Sequence, residues 1–294
     1  MSRLRQLPMA AVSCFVLAAA VAPPAFGGPR PGLSLTFMQT DGAAFPERPA
    51  TLRSRVQGAS VGIEVVARDA WVLHAGAVYA YTRHEYEEVA SRNRDLHRLS
   101  LPVSIQLDMP GGEHRVTLTP VAATSSNVFK DLLKQGRGED WQWHGAWRWQ
   151  APEAAGWRWQ MGLARNAELG RLAWLPEVGA SRHSGDWTVS LVLPRPELRY
   201  QLHADTTVVA GLRPAGGQWQ VRSDEQAGRR FDYRVREWET GVAMEWRPLA
   251  TLAVSAELGV LLQRRHRFID DAGDAQRRDA GHAGFLRLAV HRPF

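Results

Sequence analysis

At 45% hydrophobic and 22% charged residues, the 294-residue chain is too apolar to be disordered, and its single cysteine excludes a disulfide scaffold. The formal net charge of +6 and pI of about 10.1 invite a polyanionic partner. However, Lys130 and Lys134 are the only lysines among 36 basic residues, and Asp and Glu are interleaved throughout. The arginine excess therefore reads as compositional bias, and no nucleic-acid motif accompanies it.

The N-terminus carries an export pattern. Arg3 and Arg5 precede an apolar run from Leu7 to Ala22, and Ala25-Phe26-Gly27 supplies small residues for cleavage. Residues 1–27 are therefore expected to be a signal peptide, and 28–294 one cysteine-free domain. Cys14 follows Ala11-Val12-Ser13, a poor match to a lipoprotein-processing box.

Period-two alternation then dominates. Leu99, Leu101, Val103, Ile105 and Leu107 alternate with small or polar residues, as do Trp238, Val242, Met244 and Trp246, and Leu252, Val254, Leu258, Val260 and Leu262. Strands are predicted near 59–68, 71–82, 97–107, 113–123, 141–150, 157–165, 170–181, 187–203, 206–222, 231–247, 250–267 and 282–294. Only 127–135 has a helical pattern. Turn signals separate the strands, among them Pro110-Gly111-Gly112, Ala204-Asp205-Thr206 and Arg247-Pro248-Leu249. The 187–203 segment changes phase across Pro194 and Pro196, so either a bulge or a true turn stands there. A true turn would alter the strand count, which must be even in a single-chain bacterial barrel. The later strands exceed the roughly 9–11 residues that span a bilayer and should project beyond it.

The expected fold is all-β: a closed antiparallel transmembrane β-barrel of about twelve strands, within a range of 10–14. Aromatic residues at strand ends favour this over a soluble sandwich. Trp71, Tyr79, Tyr81, Trp141, Trp149, Trp238 and Trp246 read as two interfacial girdles. Six of the 12 tryptophans fall within 141–159, each on the apolar parity of its strand, as a lipid-facing wall requires. The chain ends in a strand with Leu286, Leu288 and Val290 at alternate positions and a terminal Phe294. This ending resembles the assembly signal of Gram-negative outer-membrane β-barrels, although Arg292 and Pro293 depart from it.

The ordering of Trp187, Leu193-Pro194-Arg195-Pro196-Glu197, Gly216-Gly217-Gln218-Trp219, Arg236-Glu237-Trp238, Glu245-Trp246 and Glu257-Leu258-Gly259 is similar to a family of outer-membrane barrels designated only as a domain of unknown function. The resemblance spans about residues 100–294. It implies an outer-membrane location in a Gram-negative bacterium, lipid and lipopolysaccharide as surroundings, and the barrel-assembly machinery as a partner. It transfers no catalytic residue.

With the apolar face outward, His144, Arg148, Arg158, Glu237, Glu239, Glu245, Glu257 and Arg265 are candidate lumen residues, with Gln263 and Arg287 on the same reading. Both signs occur, and buried charges are expected to pair. The expected function is a narrow passage for small solutes. The alternatives are a non-conducting or surface-binding barrel and a lipid-modifying enzyme. For the enzyme, His97 with Ser100 and His183 with Ser184 are the only close His/Ser pairs, and no nucleophile-elbow or zinc motif is present. Asp270-Asp271-Ala272-Gly273-Asp274 lacks the ligand spacing of a calcium loop, so neither a metal nor a cofactor is expected.

Overall fold

The first strand lies upstream of the predicted 59–68. In the computed structural model, which describes residues 29–46, 48–87, 94–135, 140–222, 230–270 and 272–294, β1 already occupies Gly32–Thr40. Its Leu33, Leu35 and Phe37 share one face. The expected signal peptide at 1–27 lies outside the described residues.

The chain continues through β2 (Ala43–Phe45), β3 (Arg48–Arg68), β4 (Trp71–Glu87), β5 (Arg94–Ser100), β6 (Val103–Met109) and β7 (Gly112–Ser125) to a helix, α1 (Ser126–Gln135). It returns through β8 (Trp141–Gln150), β9 (Trp157–Asn166), β10 (Ala173–Ser184), β11 (Trp187–Ser190) and β12 (Glu197–His203). The last run comprises β13 (Thr206–Pro214), β14 (Gly217–Arg222), β15 (Arg230–Leu249), β16 (Leu252–Asp270), β17 (Ala275–Asp279) and β18 (Ala283–Arg292).

Several of these segments are one wall position interrupted by a break. β5 and β6 both pair with β4, and β13 and β14 both pair with β15. Counted by position among the described residues, fourteen antiparallel strands form the ring, which closes where Leu35 of β1 faces Val290 of β18. Relative to the expected twelve, β1 is added. The 187–203 segment also divides at Pro194–Pro196 into β11 and β12, which pair with each other. The prolines therefore mark a true turn, and the total stays even. The turn expected at Arg247-Pro248-Leu249 falls instead at Ala250-Thr251, after a register shift between Trp246 and Leu249.

Around the lower part of the ring, the outward residues are apolar and solvent-accessible. Leu258 is 66% exposed, Trp174 62%, Leu35 56% and Leu118 54%. A contiguous apolar surface of this kind is unstable in water and is the outer wall of a membrane barrel. Two-residue turns join the strands at one end, at 69–70, 110–111, 185–186, 204–205 and 250–251. Longer connections and α1 occupy the other.

At the long-loop end the pattern inverts. β8 to β12 stop short, and β7 meets β14 directly through a parallel pairing of Thr124 with Gln220. The upper ends of β2, β3, β4, β5, β7, β14, β15, β16 and β17 thereby enclose a smaller ring. Gly281 of the β17–β18 connection donates to the Ala44 carbonyl of β2 and completes it. Here the inward face is apolar: Leu96, Val121, Ala123, Trp219, Val221, Tyr233 and Val235 form one buried cluster with Phe268 against it. The outward face is charged, with ion pairs Arg53–Glu87, Arg83–Glu85, Arg234–Asp232 and Arg265–Asp279. This upper tier is built as a small water-soluble barrel, and it accounts for strands longer than a bilayer needs.

Candidate lumen and outer-end cap

The girdle residues bracket the apolar wall. Trp149 Nε1 donates to the Gly111 carbonyl at 3.1 Å and Trp246 Nε1 to Asp205 Oδ2 at 3.2 Å, so both indoles are tied to short-turn loops. Trp71 stands at the same end, opposite Leu107. Tyr79, Tyr81, Trp141 and Trp238 lie towards the other end. On β4, ten residues separate Trp71 from Tyr81, about 33 Å along the strand and about 25 Å vertically at a 40° tilt, the height of an apolar bilayer band.

Inside this band the wall is polar and ion-paired. Two arginines and two glutamates from four adjacent strands form one square. Arg287 of β18 donates to Glu257 Oε2 at 2.6 Å and to both oxygens of Glu239 at 2.7 Å. Arg213 of β13 donates to both Glu257 oxygens at 2.8 Å and to Glu239 Oε2 at 2.9 Å. The two cations and two anions are neutral together, which is what allows them to stand where side-chain exposure is about a tenth or less for three of the four. A second group joins Arg195 to Glu177 at 2.7 Å and also to Glu168, with Arg148 donating to the same Glu177. A third joins Arg199 to Glu245 at 2.6 Å and to Glu197 at 2.9 Å.

The structure thus places Arg148, Glu239, Glu245 and Glu257 in paired clusters on the inner wall. His144 is buried beside Gln142, its Nε2 3.2 Å from Gln142 Oε1. Glu237 receives Arg264 Nε at 3.2 Å. Arg158 shares the inward parity of β9 but sits near the short-turn rim, 3.8 Å from Glu153.

Arg265 and Gln263, expected in the lumen, do not line it. Between Arg236 and Trp238 on β15, the pairing on β16 advances from Arg265 to Leu262, one residue too many, and Gln263 takes φ +51°. This bulge flips the phase. Arg264, His266 and Phe268 turn inward, while Arg265 faces out to Asp279. Arg195, Glu168 and Glu177 were missed because two of them lie in turns, where parity says nothing. Arg213 was legible from the alternation of β13.

Across the cap, side chains from opposite walls touch. His84 of β4 stands edge-on to Tyr233 of β15 and to His266 of β16, each at 5.9 Å between ring centroids, although these strands are not neighbours. Tyr233 stacks on Phe268 at 4.6 Å, and Arg94 of β5 covers the same Phe268 ring at 4.6 Å. Ser54 Oγ lies 2.8 Å from His84 Nδ1, and Tyr233 Oη 2.7 Å from His266 Nδ1. Ring width accounts for a filled cap. Strands 4.8 Å apart at a 40° tilt give a backbone diameter of about 28 Å for fourteen strands and about 18 Å for nine. The latter is close to the width that side chains fill.

Below the cap, the chain enters the lumen at its start. Gly62 and Gly76 face inward, and a Cβ on Gly62 would run into the carbonyl of Arg30, while one on Gly76 would press on Pro29. The paired glycines let this segment lie against the wall.

Among the described residues, no cluster of three or more His, Cys, Asp or Glu is placed to hold a metal ion. Asp270 Oδ1 instead caps its own turn, accepting from Ala272 N at 3.0 Å and Asp274 N at 2.9 Å.

A closed ring of even strand number, apolar outside and polar within, is the fold of an outer-membrane β-barrel. Comparison with solved structures gives the same class. An outer-membrane channel from Pseudomonas putida F1 matches with a TM-score of 0.51 at 10% identity, over 94% of this chain and all of that one. The toluene transporter TodX from Pseudomonas putida (TM-score 0.44, 11% identity, 92% and 90% covered) and the KdgM porin (0.39, 8%, 90% and 99%) are also similar. No protein-family model and no curated protein matches the sequence.

Proposed function

We propose that this chain is a porin-like channel of the Gram-negative outer membrane, with its termini in the periplasm and its outer end shut by the cap. The short turns and both strand termini share one end, as they do on the periplasmic side of such barrels. The wide, ion-paired wall forms a vestibule for small polar or zwitterionic solutes, and barrel-assembly machinery would place it through the Leu286, Leu288, Val290 and Phe294 pattern. Three of these, Leu286, Leu288 and Val290, face outward on the closing strand, and Phe294 is exposed. The sequence resemblance to an outer-membrane barrel family points to the same location, and lipopolysaccharide would surround the arginine-bearing cap.

What carries the proposal is the contrast between the two tiers: a fourteen-strand wall lined by ion-paired arginines and glutamates, beneath a nine-strand ring filled by Tyr233, Trp219, His84 and His266. Recording in planar bilayers tests it. Wild-type protein should be silent or nearly so, and Trp219→Ala with Tyr233→Ala should give discrete openings. A large steady conductance in the wild type would remove the shut cap. Silence in the folded double variant would instead make this a non-conducting barrel.

A further inference from the structure

The sequence pairs His97 with Ser100, but the fold pairs it with a different serine. Ser126, the first residue of α1, brings Oγ to 2.7 Å from His97 Nε2. On the far side of the imidazole, Tyr79 Oη lies 2.7 Å from Nδ1. Phe129, one turn along α1, stacks on the His97 ring at 4.6 Å and 12° and fixes its plane. A serine hydroxyl, a histidine and a group orienting the histidine from its other nitrogen make a nucleophile–base–orienter chain.

We propose that Ser126 and His97 form an esterase site on the outer wall, acting on acyl esters of lipids in the outer leaflet. Its placement argues for the substrate. His97 is the cross-strand partner of Tyr81, at the upper girdle. Directly below on the outward face are Leu99, Leu101, Val103 and Leu118, which form lipid-facing wall. Directly above on the same outward face, Arg83 stands between its cross-strand partners Arg55 and Asp95 and is ion-paired with Glu85 at 3.1 Å. Apolar wall for acyl chains below, a charged belt with the Arg55 guanidinium above, and a nucleophile between them match the depth of a lipid ester bond.

With the Nδ1 proton donated to Tyr79, His97 Nε2 accepts the proton of Ser126 as Oγ attacks the acyl carbonyl carbon. Collapse of the tetrahedral adduct breaks the ester C–O bond, and His97 passes its proton to the departing alcohol oxygen. Water, deprotonated by His97, then attacks the acyl-serine, releasing the fatty acid and restoring Ser126. The balance is ester plus water to acid plus alcohol. Ser126 and His97 are the catalytic residues; Tyr79 is a positioning residue.

The test uses purified full-length protein in detergent, treated with a fluorophosphonate probe and examined by peptide mass spectrometry. An adduct on Ser126 is expected in the wild type. Free fatty acid is then measured from phosphatidylethanolamine vesicles and, separately, from lipopolysaccharide, which distinguishes the two sources of the ester. Ser126→Ala and His97→Ala should each lower release by at least about 10³-fold while retaining the heat-modifiable mobility of folded barrels. Tyr79→Phe should lower kcat, leave KM unchanged and displace the pH profile. The proposal fails if folded wild type forms no Ser126 adduct and releases no fatty acid from either lipid, or if Ser126→Ala keeps its activity. Channel recording is independent of all these outcomes.

Discussion

Replacing Arg287 with Met tests how the barrel wall tolerates its charges. The arginine is flanked by Glu239 and Glu257 at 2.6–2.7 Å, and the side chains of all three are 8–10% exposed. Arg213 is the other cation in contact with both carboxylates. Without Arg287 the square carries one uncompensated negative charge in a site with little water. Removing one partner of a buried pair costs about 3–5 kcal/mol. The lower end applies here, because Arg213 still holds one carboxylate and its own side chain is 24% exposed. Met keeps the volume and leaves its thioether beside Met38, whose Sδ is 3.1 Å from Arg287 Nη2. Urea unfolding in detergent micelles, followed by gel mobility without heating, should show a loss of about 3 kcal/mol. Adding Glu239→Gln restores neutrality and should recover roughly half of it, a coupling within the usual 0.5–3 kcal/mol for residues in contact. A single variant within about 1 kcal/mol of wild type, below the range for breaking a buried pair, or a double variant less stable than the single, would refute the reasoning.

The remaining expectations follow from the two tiers. Leu258→Arg puts a charge on the apolar wall, where Leu258 is 66% exposed, and should cost about 2–4 kcal/mol of folding into vesicles; an unchanged folding yield would contradict a lipid-facing position. In the cap, above the girdle, burial and the neighbouring Arg264 and Arg94 guanidinium groups push His84 down to about 3, and burial with His84 and Arg264 pushes His266 far down. Both must be neutral in the folded cap. Stability from this source is complete above about pH 6.5 and is lost as pH falls towards 3. Recordings at pH 7 and pH 4 should therefore differ, with openings at the lower value that His84→Phe with His266→Phe suppresses; equal behaviour at both values would contradict it.

Much of this architecture is legible in the sequence because a bilayer imposes it. One face of each strand meets lipid and the other meets polar groups, so Leu99 to Leu107 or Trp238 to Trp246 announce both the strand and its orientation. Phase errors arise where the backbone adds a residue without a local signature. Gln263 is neither glycine nor proline, yet its left-handed conformation reverses Arg264 and Arg265. The parallel junction of β7 with β14 joins segments almost a hundred residues apart, and nothing near Thr124 or Gln220 marks it. The cap did leave a trace. Along the inward face of β15 the residues change from Phe231, Tyr233 and Val235 to Glu237, Glu239 and Glu245, so an apolar interior gives way to a charged one at a definite point. The Ser126–His97 pair left none, since residue 126 meets residue 97 only through the pairing of β5 with β7.

A vestibule shut on the outer side is reachable from the periplasm alone. The chain's only cysteine is Cys14, in the expected signal peptide, so a cysteine introduced at Ala243, on the inward face of β15, would be the one reactive thiol in residues 28–294. In intact cells a membrane-impermeant maleimide should fail to label Ala243→Cys, whereas cells opened to the periplasm should be labelled readily. Combining it with Trp219→Ala and Tyr233→Ala should expose the thiol from outside. Labelling of Ala243→Cys in intact cells, with the cap unaltered and at the rate found in opened cells, would contradict the account.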